Sequence, residues 1–261
     1  MSTLTSYASQ SARDSAAPAA SNTGLCIFRT DSKAIEVSDG TNYLTYLNDG
    51  VLSYYGTNTK ALDFDGSNDY VAIADDSTLD LTGDFSITMW INMDGLSGFP
   101  MLISKRAAIS THAWQFYSTS SKLAFNNGGG ILNSTTSIST GTWYHVGMTF
   151  SNGSVTFYLN GSADGTGTST NTTNPTTTTE VTIGKAFNGN YVDGKIDEVA
   201  IFNAELSATQ ISNIYNSKVY PQSDIVSFWR FEDDATDSVG SNDGTLNNFV
   251  SPNGFVTDKP Y

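Results

Sequence analysis

Two carboxylates stand side by side in the segment KIDEVAIF, at Asp197 and Glu198. In a strand, neighbouring side chains point to opposite faces. Asp197 is therefore expected to share a face with Val199 and Ile201, and Glu198 with Ile196, Ala200 and Phe202. Whichever face is buried, a carboxylate sits among apolar neighbours. A buried carboxylate must be neutralised by a proton, a basic partner or a metal. Lys195 and Arg230 are the basic candidates, and a wet strand end would remove the need for either. Hard oxygen ligands of this kind suit Ca2+, and the stretch DDATDSVGSNDG (233–244) offers more of them. Other reactive groups are sparse. Of the two histidines, His145 lies inside a patterned strand and reads as structural, and His112 reads as a loop residue. No Ser/His/Asp or Cys/His set emerges, so no catalytic residue is assigned. The single cysteine, Cys26, has no internal disulfide partner and reads as a small core residue. Trp90, Trp114, Trp143 and Tyr158 are candidates to line an outer sheet face, where aromatic planes stack on sugars. Their alternative is core or cross-strand packing.

Strands must position these groups. Only 15% of the 261 residues are charged, and Gly, Ser, Thr and Asn abound, which favours turn-rich β structure over helix bundles. DFSITMWIN alternates cleanly, with Phe85, Ile87, Met89 and Ile91 on one side and Ser86, Thr88 and Trp90 on the other. TWYHVGMTF and SVTFYLN alternate likewise across Asn152-Gly153, and Asn160-Gly161 reverses the chain again. One short helix is expected near 207–216. Ser207 and Gln210 form its capping box, and Leu206, Ile211, Ile214 and Tyr215 its buried stripe. The fold class is all-β: a two-sheet antiparallel sandwich or jelly roll.

Three parts are expected along the chain. Residues 1–24 form an extended arm, either a disordered terminus or one that orders against a partner. Residues 25–58 form a small β-hairpin or meander attachment module, and residues 59–261 the sandwich. Net charge is −14, from 12 basic and 26 acidic residues, which argues against nucleic-acid binding, since phosphate neutralisation needs clustered Lys and Arg. The start MSTLTSYASQSARDS has neither a basic head nor an apolar run, so no secretory signal is expected. Nothing approaches the roughly 18 apolar residues of a membrane-spanning helix.

Three segments together resemble the laminin G-like, concanavalin A-like lectin/glucanase family over about 62–216. They are LDFDGSNDYVAI with DFSITMWIN, GTWYHVGMTFSNGSVTFYLNG, and GKIDEVAIFNAELSATQISNIYN. The resemblance implies a concanavalin A-like jelly roll and a role in glycan binding, stabilisation or protein contact, often with structural calcium. In such domains a segment like IVSFWRFEDDATDSVGSNDGTL precedes the LDFDG-type strand, whereas here it comes last. Either the chain is circularly permuted, with strands from 225–261 closing the sandwich, or a second repeat begins there. Permutation would bring the acidic loop near the FDGSND turn and Asp197. The resemblance then nominates Asp197, Asp237 and Asn242, with backbone carbonyls, as a Ca2+ set. Related glucanases carry Glu-x-Asp-x-x-Glu on one strand; KIDE lacks that spacing, so no enzymatic activity is expected.

The run SARDSAAPAASNTGLCIFRTDSKAIEVSDGTNYLTYLNDG (11–50) resembles the start of tailed-phage structural proteins. That resemblance implies a virion protein. The first expectation is a capsid decoration or cement protein, held to phage capsid or tail proteins through residues 1–56 and displaying the sandwich. The alternatives are a tail fibre or receptor-binding protein recognising host-surface glycan, and a free carbohydrate-binding lectin module. By analogy a homo-oligomer, a trimer, is expected. Assembly in the host cytoplasm, without a signal peptide, would place the protein in the virion.

Overall fold

In a computed structural model, residues 58–106, 113–250 and 254–261 are described with their side chains. His112 and five strands before residue 58 are described by their backbone. Apart from Thr5–Tyr7, the expected arm at 1–24 lies outside the described residues, as do the side chains of Cys26 and His112. The chain divides into two compact units. The first comprises Met1–Thr57 and Ser212–Asp224, the second Asn58–Ile211 and Ile225–Tyr261.

The first unit is a six-stranded sheet. Its order is β1 (Thr5–Tyr7), β2 (Cys26–Arg29), β3 (Ala34–Ser38), β4 (Tyr43–Tyr46), β5 (Leu52–Tyr54) and β18 (Val219–Tyr220). β1 runs parallel to β2; the other neighbours are antiparallel.

The second unit is a two-sheet antiparallel sandwich. One sheet has the order β15 (Ser162–Thr168), β14 (Ser154–Leu159), β13 (Trp143–Ser151), β8 (Phe85–Gly95), β17 (Asp193–Phe202), β6 (Ala61–Asp65) and β21 (Phe255–Val256). An eighth strand, β19 (Ile225–Trp229), pairs with the second half of β17. The facing seven-stranded sheet runs β12 (Leu132–Ser137), β11 (Lys122–Asn126), β10 (His112–Thr119), β9 (Met101–Arg106), β16 (Val181–Ile183), β7 (Tyr70–Ile73) and β20 (Gly244–Asn247).

The period-two pattern fills the space between the sheets. Phe85, Ile87, Met89 and Ile91 of β8 enter one core with Ile103, Phe116 and Phe125 of the facing sheet. Phe85 stacks on Phe150 with ring centroids 5.1 Å apart. The reversals follow from backbone preference. Asn152-Gly153 (φ 47° and 86°) and Asn160-Gly161 (φ 48° and 77°) join β13, β14 and β15 through left-handed pairs that match strand twist. Ser120-Ser121 makes the same kind of turn between β10 and β11 (φ 49° and 62°) without Asn or Gly, so the sequence carries no turn signal there.

The C-terminal segment is built into both sheets. Val199 registers with Trp229 and Ile201 with Ser227. β20 pairs with β7, and β21 with β6. Trp229 and Phe231 share the core with Phe64 and Val199, and the Trp229 indole N–H donates to the Asn242 carbonyl at 2.8 Å. The helix α1 (Ala208–Ser217) begins at the expected capping box. Gln210 Oε1 accepts from the Ser207 N–H at 2.9 Å, and Ser207 Oγ accepts from the Gln210 N–H at 3.3 Å.

The polar side of β8 is buried too. Ser86 Oγ donates to the Ala204 carbonyl (2.8 Å) and accepts from the Leu206 N–H (2.9 Å), so the stretch leading into α1 lies across that face. No helix among the described residues is long and apolar enough to cross a membrane.

Candidate functional site

The strand carrying the two carboxylates is not regular. Asp197 registers with Trp90 but Ala200 with Thr88, so Glu198 and Val199 together oppose one residue of β8. Glu198 sits at φ 49°. This is a β-bulge, which adds a residue and re-aims the side chains after it. It corrects the simple alternation: Ile196, Val199 and Ile201 enter the core, while Asp197 faces the same way as Trp90.

Both carboxylates are buried, and each is neutralised differently. Asp197 Oδ2 accepts from Asn58 Nδ2 (2.7 Å) and Oδ1 from the Glu198 N–H (2.8 Å). Burial, then the neighbouring Glu198 charge, pushes the Asp197 carboxyl well above its ordinary range, which favours the protonated acid. Glu198 Oε1 lies 3.4 Å from Arg230 Nε, and Arg230 Nη2 lies 3.8 Å from Glu232 Oε1. Burial opposes the Arg230 charge, but Glu198 and Glu232 outweigh it and hold the guanidinium above its ordinary value. Glu232 in turn accepts from the Thr59 N–H (2.9 and 3.0 Å). Lys195 turns elsewhere, 3.5 Å from both Asp94 and Asp258.

The structure brings Asp237 and Asn242 together and leaves Asp197 in its separate network. Asp237 Oδ1 accepts from the N–H groups of Phe228 (2.9 Å) and Val239 (3.1 Å), and Oδ2 from that of Asn242 (3.2 Å). Asn242 Nδ2 donates to Ser227 Oγ (2.8 Å) and Thr78 Oγ1 (3.0 Å). Calcium takes six to eight oxygens. Here the carboxylate is occupied by backbone donors and the asparagine presents its N–H2 to the network, so the three residues do not fit a calcium site. Asp237 and Asn242 clasp the 232–243 loop onto β19. Among the described residues, no group of three or more His, Cys, Asp or Glu is placed to hold a metal.

The four sequence-nominated aromatics do not form a common platform. Trp114 has no exposed surface and packs beside Phe85 in the core (centroids 6.4 Å). Trp90 is wedged between His145 (5.3 Å, edge-on) and Tyr261 (5.8 Å). Tyr158 is buried, and burial pushes its phenol up. Trp143 is half-buried, its indole N–H donating to Asp258 Oδ1 at 3.0 Å. Residues 258–261 and the 204–206 stretch occupy the face these rings would otherwise present.

The open apolar surface lies on the seven-stranded sheet. Met101, Tyr117, Ala124 and Ala186 form a small cluster distinct from the main core. Beside it stand Phe99 and Ile131, exposed at 48% and 53%. The Phe99 and Tyr117 rings lie 6.3 Å apart at 56°. Arg106 lies 4.2 Å over the Phe187 ring, and its Nη1 donates to Gln115 Oε1 at 2.7 Å. With Asn126 and Asn190, all of these except Ala124 and Ala186 line a groove of about 290 Å³. A second hollow, of about 280 Å³, adjoins it across Arg106 and Phe187 and includes Glu180, Thr182 and Lys185.

Turns hold these rings up. Gly98 (φ 73°) precedes Phe99-Pro100, and Phe187 rides a reversal closed by the Gly189 N–H to the Ala186 carbonyl (3.1 Å). The sequence signal for these rings is a large apolar residue within each of the turn sequences Gly-Phe-Pro and Phe-Asn-Gly-Asn. Flat apolar faces beside amide donors and acceptors match the two sides of a pyranose, whose C–H face is apolar and whose rim is hydroxylated.

The two-sheet fold is a jelly roll of the lectin type. Over residues 65–212 the chain matches the concanavalin A-like lectin/glucanases superfamily, and it belongs to that family. A protein from Bacteroides ovatus, provisionally described as carbohydrate binding, is 16% identical, with 92% of this chain and 71% of that chain covered and a TM-score of 0.64. The CBM40 of Ruminococcus gnavus IT-sialidase, bound to α2,3 sialyllactose, is 11% identical, with 59% and 97% covered and a TM-score of 0.49. The SAP-like pentraxin of Limulus polyphemus is 16% identical, with 62% and 84% covered and a TM-score of 0.47. At such identities the likeness is one of fold. No curated protein sequence matches the chain.

Proposed function

We propose that the second unit is a carbohydrate-binding module, acting by binding rather than catalysis, and that its site is the groove on the seven-stranded sheet. One observation carries this reading: Phe99 and Ile131 stay exposed around Tyr117, next to the amides of Gln115, Asn126 and Asn190. Exposing large apolar side chains beside ordered polar groups is the pattern of a ligand site. The description of the Bacteroides ovatus relative points the same way.

The test is titration of the protein with a panel of neutral and acidic oligosaccharides. Phe99→Ala, at an exposed position, should weaken binding at least fivefold without changing the melting temperature. Trp143→Ala, on the other sheet, should leave binding intact. Loss with Trp143→Ala and retention with Phe99→Ala would overturn the assignment.

A second reading concerns where the module works. The resemblance of residues 11–50 to tailed-phage structural proteins supports display on a virion, with residues 1–56 as the attachment to capsid or tail and a trimer by analogy. A saccharide groove favours the receptor-binding role over head decoration. Removing residues 1–56 should then abolish incorporation into particles while saccharide binding persists. Normal incorporation of the shortened protein would refute it.

A further inference from the structure

Among the described residues lining the groove, Arg106 is the only charged one. Its guanidinium is held in place from two directions, by the Phe187 ring beneath it and by Gln115 Oε1 beside it. Burial works against its charge and lowers its pKa from the ordinary value, so the fold retains a partly desolvated cation in a hollow otherwise made of apolar rings and amides. A planar guanidinium fixed by stacking loses little freedom on binding and offers the forked donors that a carboxylate accepts.

From this arrangement we infer that the groove selects a sugar bearing a carboxylate on the carbon beside its ring oxygen, as in uronic and sialic acids. The sugar ring lies against Phe99 and Tyr117, and the carboxylate reaches Arg106. This rests on the carbohydrate-binding reading above and narrows it.

The net charge of −14 decides what form the ligand takes. At physiological salt the screening length is about 8 Å. A single carboxylate seated on Arg106 therefore feels the local cation far more than acidic groups elsewhere on the surface. A long polyanion would extend over that surface and be repelled. The ligand is thus one acidic residue on an otherwise neutral saccharide, seated on the Phe99 side of Arg106, because Glu180 lines the hollow beyond it.

The test compares matched pairs by calorimetry: cellobiouronic acid against cellobiose, and sialyllactose against lactose. The wild-type protein should bind at least one acidic member at least tenfold more tightly than its neutral parent. Which pair shows the preference separates uronate from sialate. The methyl ester of the preferred sugar should lose that advantage. Arg106→Met keeps the stem over Phe187 without the charge; it should bind the acidic and neutral members alike. Equal binding of both members by the wild-type protein would overturn the inference and leave the carbohydrate-binding reading standing. So would a preference that survives Arg106→Met. Failure to bind any saccharide would overturn both.

Discussion

Asp197 gives folding one contribution that depends on pH. Its carboxyl is pushed up by burial and by Glu198, so the folded state holds a proton that the unfolded chain releases near its ordinary pKa of 3.8. A group raised on folding contributes stability that is fully present below the unfolded value and is lost as pH rises through the folded one. Asp197→Asn removes that loss. The Asn58 amide can rotate to meet the new N–H2, since its oxygen is buried without a hydrogen-bond partner. Urea unfolding from pH 4 to 8 should show the wild-type protein losing stability relative to the variant, by at most about 1.4 kcal/mol per pH unit. Lys105 supplies a second residue-level test. Fully buried, it reaches Asp75 (2.8 Å) and Asp80 (2.7 Å). Lys105→Met should cost about 2–4 kcal/mol in the same assay, because two carboxylates lose their cation, though both retain some water. Sequence raised the need to neutralise the pair at 197 and 198 but not the solution. The bulge at Glu198 and the pairing of Lys105 with a distant loop depend on register between strands, which alternation does not encode.

At the scale of elements, the strands of β8, β13 and β14 and the start of α1 were legible because each is fixed by local chemistry. Alternating side chains, Asn-Gly reversals and a Ser-x-x-Gln cap act within a few residues. Ser207→Ala should therefore cost about 1 kcal/mol at an otherwise exposed position. The apolar pattern of 225–231 likewise announced a buried strand, and β19 lies against β17. Trp229→Ala should cost about 3–5 kcal/mol, since it opens a cavity between the sheets and leaves the Asn242 carbonyl without its donor. Denaturant unfolding checks both values. The proposed binding surface was not legible. Trp90, Trp143 and Tyr158 face away from the core as alternation suggests, yet chain far off in sequence lies across that side. The open face belongs to the other sheet, and its rings come from turns.

For the whole molecule, the two outward faces of the jelly roll differ in what covers them. The face of the eight-stranded sheet is buried beneath residues 204–206 and 258–261 and carries the carboxylate network. The face of the seven-stranded sheet keeps Phe99 and Ile131 in water, at a cost that the proposed saccharide would offset. The central claim is that saccharide binds there. It is tested most directly by mapping amide NMR shifts during titration with an oligosaccharide that the protein binds. The account predicts that the perturbed amides cluster at Phe99, Gln115, Tyr117, Asn126 and Asn190. Perturbations centred instead on Trp90 and Trp143, or on the loop around Asp237, would contradict it.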